Sequence, residues 1–156
     1  MITKLEAIKF MKIYLGTDHA GFELKEKLKT YLSDLGYVVE DKGAFTLNPT
    51  DDYPDFVRPV AEAVVNDEGS FGIVLGKSGE GEAMVADKVE GIRTAVYYGG
   101  SLDIPRLARE HNNANILSIG AGFVTEDEAK QAVKIFLETP FSGEERHERR
   151  IEKMER

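Results

Sequence analysis

FGIVLG (71–76) runs without a break into KSGEGE (77–82), and this stretch decides the fold. An unbroken apolar run of strand length is what a strand buried on both faces of a parallel sheet requires. It passes at once into a glycine-rich turn and then a short helical stretch, 83–88, which makes a β-α unit. Upstream, KIYLGT (12–17) reads as a strand ended by Asp18-His19-Ala20-Gly21. Leu24, Leu28, Tyr31, Leu32 and Leu35 follow at helical spacing, and Gly36 is placed as a C-terminal cap. YVVED (37–41) reads as a second strand, and 43–53 as a polar loop. Pro54 suits the first turn of a helix whose inner face is Val57, Val60, Ala61 and Val64. Downstream, IRTAVYY (92–98) and NILSIG (115–120) are strands four and five. A helix over 102–111 carries Arg106, Arg109 and His111, and Thr125 caps a last helix through Leu137. Five such units predict an α/β protein, a doubly wound, Rossmann-like five-stranded parallel sheet flanked by helices. The expected organisation is an extension over 1–10 (a short extra helix, or an extended start before Met11), one α/β domain over 11–142 and a helical tail over 143–156.

Composition excludes several functions. With 42% hydrophobic and 31% charged residues in 156, the chain has the makings of one packed core. A formal charge of -8 argues against nucleic acid or an anionic membrane as partner, though not against a small anion in a local pocket. There is no cysteine, which removes disulfides, thiolate metal sites and cysteine nucleophiles. No apolar run approaches the roughly 20 residues of a membrane span, and the N-terminus lacks a signal-peptide pattern. A cytoplasmic protein is the expectation.

Ligands of doubly wound sheets bind beyond the carboxyl ends of the strands, which directs attention to 17–21, 76–82 and 97–103. Gly76, Gly79 and Gly81 permit positive φ and close approach to the main chain, so the loop's N–H groups form a ready anion site. A P-loop would need glycine where Phe71 stands, a dinucleotide fingerprint Gly or Ala at Met84, and a nucleophile elbow glycine at Glu80. The plain alternative is a tight strand-to-helix turn. Glu82 stands where the loop becomes helix and reads either as a charge favouring the helix N-terminus or, if buried, as a general base. Asp18-His19 offers a proton-transfer carboxylate and a phosphate donor, or simply a helix N-cap. His111 and Asn112 close a helix, where a cationic imidazole suits the dipole without any further role. Arg146 and Arg150, four apart, share a helix face that suits phosphate or a solvated ion-pair network.

GTDHAGFELKEKL, DDYPDF, GIVLGKSGEGEAMVADKVEGIR, AREHNNANILSIGA and TPFSGEERHERR occur in this order and together resemble the type B ribose-5-phosphate isomerases from Met11 to about Glu152. That wider family includes galactose-6-phosphate, allose-6-phosphate and four-carbon sugar-phosphate isomerases. Its common form carries a cysteine base at the position of Gly76; the pattern here is similar to the actinobacterial-type branch, with glycine there and a glutamate base. The resemblance implies ribose 5-phosphate to ribulose 5-phosphate isomerisation in the pentose phosphate pathway through an enediolate, with Glu82 as base. It further implies that Asp18 and His111 assist ring opening. Ser78 and the amides of Gly76, Gly79 and Gly81 would hold the enediolate oxygens, and His19, Asn112, Arg146 and Arg150 bind the substrate and its phosphate. No metal and no organic cofactor is implied, and the expected partner is a second copy, in a homodimer or homotetramer with interfacial sites. Two departures bear on substrate choice. Gly122 stands where the family has a phosphate-binding arginine, for which Lys77 is a candidate substitute, and the loop Tyr97-Tyr98-Gly99-Gly100-Ser101 is about two residues longer. The competing readings are isomerisation of another four- to six-carbon sugar phosphate, a non-catalytic sugar-phosphate- or nucleotide-binding regulator and, more distantly, a P-loop phosphotransferase.

Overall fold

The computed structural model describes Met1, Thr3 and residues 11–156. The expected extension over 1–10 therefore falls almost entirely outside the described residues. The strands are β1 (Lys12–Thr17), β2 (Val38–Asp41), β3 (Phe71–Gly76), β4 (Thr94–Tyr97) and β5 (Ile116–Gly120). The helices are α1 (Phe22–Asp34), α2 (Pro54–Val65), α3 (Glu80–Asp87), α4 (Asp103–Asn112), α5 (Glu126–Glu138) and α6 (Glu145–Met154). All four strand pairings are parallel, in the order β2-β1-β3-β5-β4.

That order places β1, β3 and β5 side by side in the middle, with β3 and β5 buried throughout. Leu28 and Leu32 of α1 and Ala129, Val133 and Phe136 of α5 pack on one face of the sheet. Val57, Val60, Ala61 and Val64 of α2, with Ala86 of α3, cover the other. Gly36 takes a φ of 93° beyond α1, as its cap position requires. Thr125 and Glu128 form a reciprocal capping box at α5.

Two boundaries move. The helix expected over 83–88 starts at Glu80, because Gly79 turns the chain at φ 84° and so places Glu82 within the first turn. Strand four, expected over 92–98, shortens to Thr94–Tyr97. Arg93 is held instead by its neighbours: its main-chain N–H donates to Asn115 Oδ1 at 2.9 Å and its guanidinium donates to the carbonyls of Asn112 and Asn113.

Candidate active site

The three central strands end in three adjoining loops. Beyond β1, Asp18 accepts from the Ala20 N–H at 2.9 Å and caps a single 3-10 turn, His19–Gly21. Beyond β3 lies the glycine-rich loop, and beyond β5 the segment 121–124. Ala121 N–H donates to the Gly76 carbonyl at 2.8 Å and Gly122 N–H to the Lys77 carbonyl at 3.0 Å, so the last two loops run together. Ser118 Oγ donates to the Gly79 carbonyl at 2.6 Å and pins the turn from below.

Glu82 is only 4% exposed. A Cβ built on Gly76 would land inside the Glu82 carboxylate, so that carboxylate fills the space a side chain at position 76 would take. Burial pushes the Glu82 carboxyl above the ordinary carboxylate range. The nearby Asp18 charge pushes the same way, while the N–H groups of Glu82 and Gly79 pull against it. The Asp18 carboxyl is likewise raised by burial, against the pull of the Ala20 N–H and of His19. Two buried carboxyls thus adjoin the loop's amides, an arrangement suited to proton transfer next to a developing oxyanion.

Two groups in this region have no counterpart among the residues singled out in the sequence. Asp51 Oδ1 accepts from the His19 main-chain N–H at 2.9 Å and pairs with its ring Nδ1 at 2.7 Å. That bond raises the His19 pKa and leaves Nε2 as the ring nitrogen free to donate to an anion. The hydroxyl of Tyr53 lies so close to Gly81 that a Cβ there would meet it at 2.8 Å. The signal for both was the pair of acidic residues and the tyrosine just before Pro54, where a loop feeds the first turn of a helix. The loop amides, with the Ser78 hydroxyl accepting from Glu80 N–H at 3.2 Å, complete this end.

The remaining predicted residues are elsewhere. α4 runs back against the strands, so His111 and Asn112 at its C-terminus sit at the amino edge of the sheet, beside Arg93 just before β4. The 10-residue helix alone separates the two edges by about 15 Å. His111 stacks on His147, with ring centroids 4.3 Å apart, and Ser142 Oγ bonds His147 Nδ1 at 2.9 Å. Burial, then the neighbouring His111, lowers the His147 pKa. His147 was missed because a contact between rings 36 residues apart has no local signature. Arg146 and Arg150 project from the same helix and are exposed, Arg146 pairing with Glu144 at 2.9 Å. Within one chain, then, Asp18, His19, Gly76, Ser78, Gly79, Gly81 and Glu82 come together, while His111, Asn112, Arg146 and Arg150 do not join them. The helix-capping reading of Asp18 holds as well, since the same side chain caps the turn. Arg109, on α4, is structural: it is 7% exposed, donates to Ala114 O at 2.6 Å and lies over the Phe71 ring.

Comparison with known proteins gives a consistent result. The ribose/galactose isomerase family model matches residues 13–154. Ribose-5-phosphate isomerase B of Mycobacterium leprae is 46% identical over 142 residues, covering 91% of this chain and 86% of the relative. The Mycobacterium tuberculosis H37Rv protein of the same name is equally similar over the same span. Among solved structures, a ribose 5-phosphate isomerase from Thermotoga maritima superposes with a TM-score of 0.87 at 43% identity, over 93% of this chain and 97% of that one. Ribose-5-phosphate isomerase B of Mycoplasma genitalium with bound ribulose 5-phosphate superposes at 0.88 and 37% identity, over 93% and 94%. No helix among the described residues is long and apolar enough to cross a membrane.

Proposed function

The chain belongs to the ribose/galactose isomerase family, and from that premise we propose that it interconverts ribose 5-phosphate and ribulose 5-phosphate with Glu82 as the base. The observation that carries the assignment is the buried Glu82 carboxylate, filling the space beside Gly76 with its pKa raised toward the range useful for a base at neutral pH. Once the sugar ring is open, Glu82 takes the proton from C2 and the C1 carbonyl becomes an enediolate oxygen. The O2 proton passes to O1, the carbonyl forms at C2, and Glu82 returns its proton to C1. Hydrogen and electrons balance within the substrate. On this reading Ser78 and the backbone amides at the start of α3 stabilise the enediolate.

His19 supplies one phosphate contact, oriented by Asp51. Asp18 lies close enough to Glu82 to influence its charge and is assigned the ring-opening proton at this end. The other ring-opening group, His111, and the arginine pair Arg146 and Arg150 belong to the amino edge. We assign them to the site of a second copy, so that two chains complete two sites by exchanging edges. Glu82→Gln is expected to lower kcat by about a thousandfold, within the range for loss of an acid–base group, while KM for ribose 5-phosphate changes little. Wild-type turnover in that variant removes Glu82 from the role.

A further inference from the structure

We propose that Lys77 is the chain's own cation for the substrate's anionic group, and that Gly122 is glycine because the Lys77 side chain occupies the space a residue there would fill. The inference rests on the isomerase reading and adds a specificity-determining pair to it. A Cβ built on Gly122 would meet Lys77 Cγ at 3.1 Å, the Lys77 carbonyl at 3.1 Å and Cε at 3.6 Å. The lysine stem therefore runs along the bare backbone of Gly122 and carries its ammonium one bond past it. The two residues are also tied through the main chain, by the Gly122 N–H bond to the Lys77 carbonyl.

Lys77 forms no ion pair among the described residues, although acidic residues outnumber basic ones by 28 to 20 in the chain. Glu80, three residues on and exposed, does not engage it. Several other lysines are paired: Lys25 and Lys29 with Asp41, Lys42 with Glu40, Lys130 with Glu126. An unpaired cation on the glycine-rich loop, on the β5 side of a site whose β1 side holds His19, completes a cradle for a doubly charged phosphate. Lysine suits this position as a point charge on a flexible stem, where no rigid fork is needed.

The pair is coupled, and the coupling gives the test. Gly122 has an ordinary φ, so Gly122→Ala brings no backbone strain; its methyl crowds the lysine stem and the Lys77 carbonyl. Lys77→Ala is expected to raise KM for ribose 5-phosphate about tenfold with a much smaller change in kcat, and to weaken competitive inhibition by inorganic phosphate by a similar factor. Lys77→Arg should recover most of both losses. Gly122→Ala should raise KM about twofold to threefold in the wild type and have a clearly smaller effect in the Lys77→Ala background, where only the main-chain contact remains. Unchanged KM and unchanged phosphate inhibition in Lys77→Ala overturn the proposal, as does an equal Gly122→Ala effect in both backgrounds. An inactive wild-type protein that still loses phosphate binding on Lys77→Ala overturns the isomerase reading and leaves this one standing.

Discussion

The carboxyl and amino edges of the sheet are built on different principles. At the carboxyl edge, functional groups are buried or braced by the backbone: Glu82 is 4% and Asp18 6% exposed, and His19 is clamped twice by Asp51. At the amino edge, the arginines of α6 are exposed, while His111 and His147 stack on one another. The first edge is complete enough to hold a reactive carbonyl and move a proton. The second offers charge and imidazoles, set apart from the Glu82 carboxylate. On the proposed reading, the contrast separates groups fixed in place by the fold at the carboxyl edge from exposed charges at the amino edge that a second copy would bring to the site.

Mixing two inactive variants tests that division most severely. Glu82→Gln damages the carboxyl edge; Arg146→Ala combined with Arg150→Ala damages the amino edge. Each alone is expected to lose about a hundredfold or more in kcat/KM. A hybrid dimer would carry one doubly damaged site and one intact site. Unfolding and refolding an equal mixture should therefore restore about a quarter of wild-type activity, from random pairing of two-fold-related subunits. No recovery would mean that each chain builds its site alone.

The next largest effect falls on the carboxyl edge. Gly76→Ala forces a methyl into the Glu82 carboxylate, which must then leave its place beside the loop amides. Displacing a catalytic group by about 1 Å costs on the order of a hundredfold in kcat, and that loss is expected here with phosphate inhibition nearly unchanged. A Gly76→Ala variant with normal kcat would show that the position of Glu82 does not matter to turnover.

Much of this could be read in the sequence, and the reasons are physical. Phe71–Gly76 was recognisable as a central strand because burial on both faces demands an unbroken apolar run. Strand four was overestimated because Ile92 and Arg93 continue its β-rich pattern while tertiary bonds from Asn112, Asn113 and Asn115 hold Arg93 outside the sheet. The start of α3 was placed late because only a structure shows that Gly79 is the residue that turns left-handed. As for the site, motif blocks identify residue types and say nothing of which edge each occupies. The β-α alternation does say it: a residue just after a strand lies at the carboxyl edge, and one at a helix C-terminus at the amino edge. On that rule Asp18 and His111 were already separable. Asp51 and His147 were not, since their roles rest on contacts across 32 and 36 residues.

A smaller effect concerns pH. The Glu82 carboxyl is raised, so the base is lost to protonation above the usual carboxylate range, and kcat/KM should fall as pH drops through that raised value. His19 is raised chiefly by its bond to Asp51, and its cationic form favours phosphate; KM should therefore climb as pH rises through the His19 value. Asp51→Asn removes the main cause, so the alkaline limb of the profile should move to lower pH, and KM on that limb should be higher than in the wild type. A profile unchanged by Asp51→Asn would mean that the His19 charge is not used in binding.

The smallest expected effect is on stability, and it reports on the carboxyl edge without any substrate. Burial raises the Glu82 pKa in the folded chain, so the carboxylate is less comfortable there than in the unfolded chain once it ionises. The sign follows directly: this group's contribution is fully favourable below the unfolded-state value and is lost as pH rises through the folded one. Glutamine cannot ionise, so Glu82→Gln should be the more stable protein at pH 8, and the advantage should vanish as pH falls and the native Glu82 is protonated. For a chain of this length, about 1 kcal/mol corresponds to a Tm difference of about 2–4 °C, within reach of calorimetry across a pH series. Arg150→Ala, made at the exposed amino edge away from Glu82, should show no such pH-dependent gain. A Tm difference for Glu82→Gln that is flat with pH would mean that the buried carboxylate carries no strain, and the raised pKa that fits it to act as a base would go with it.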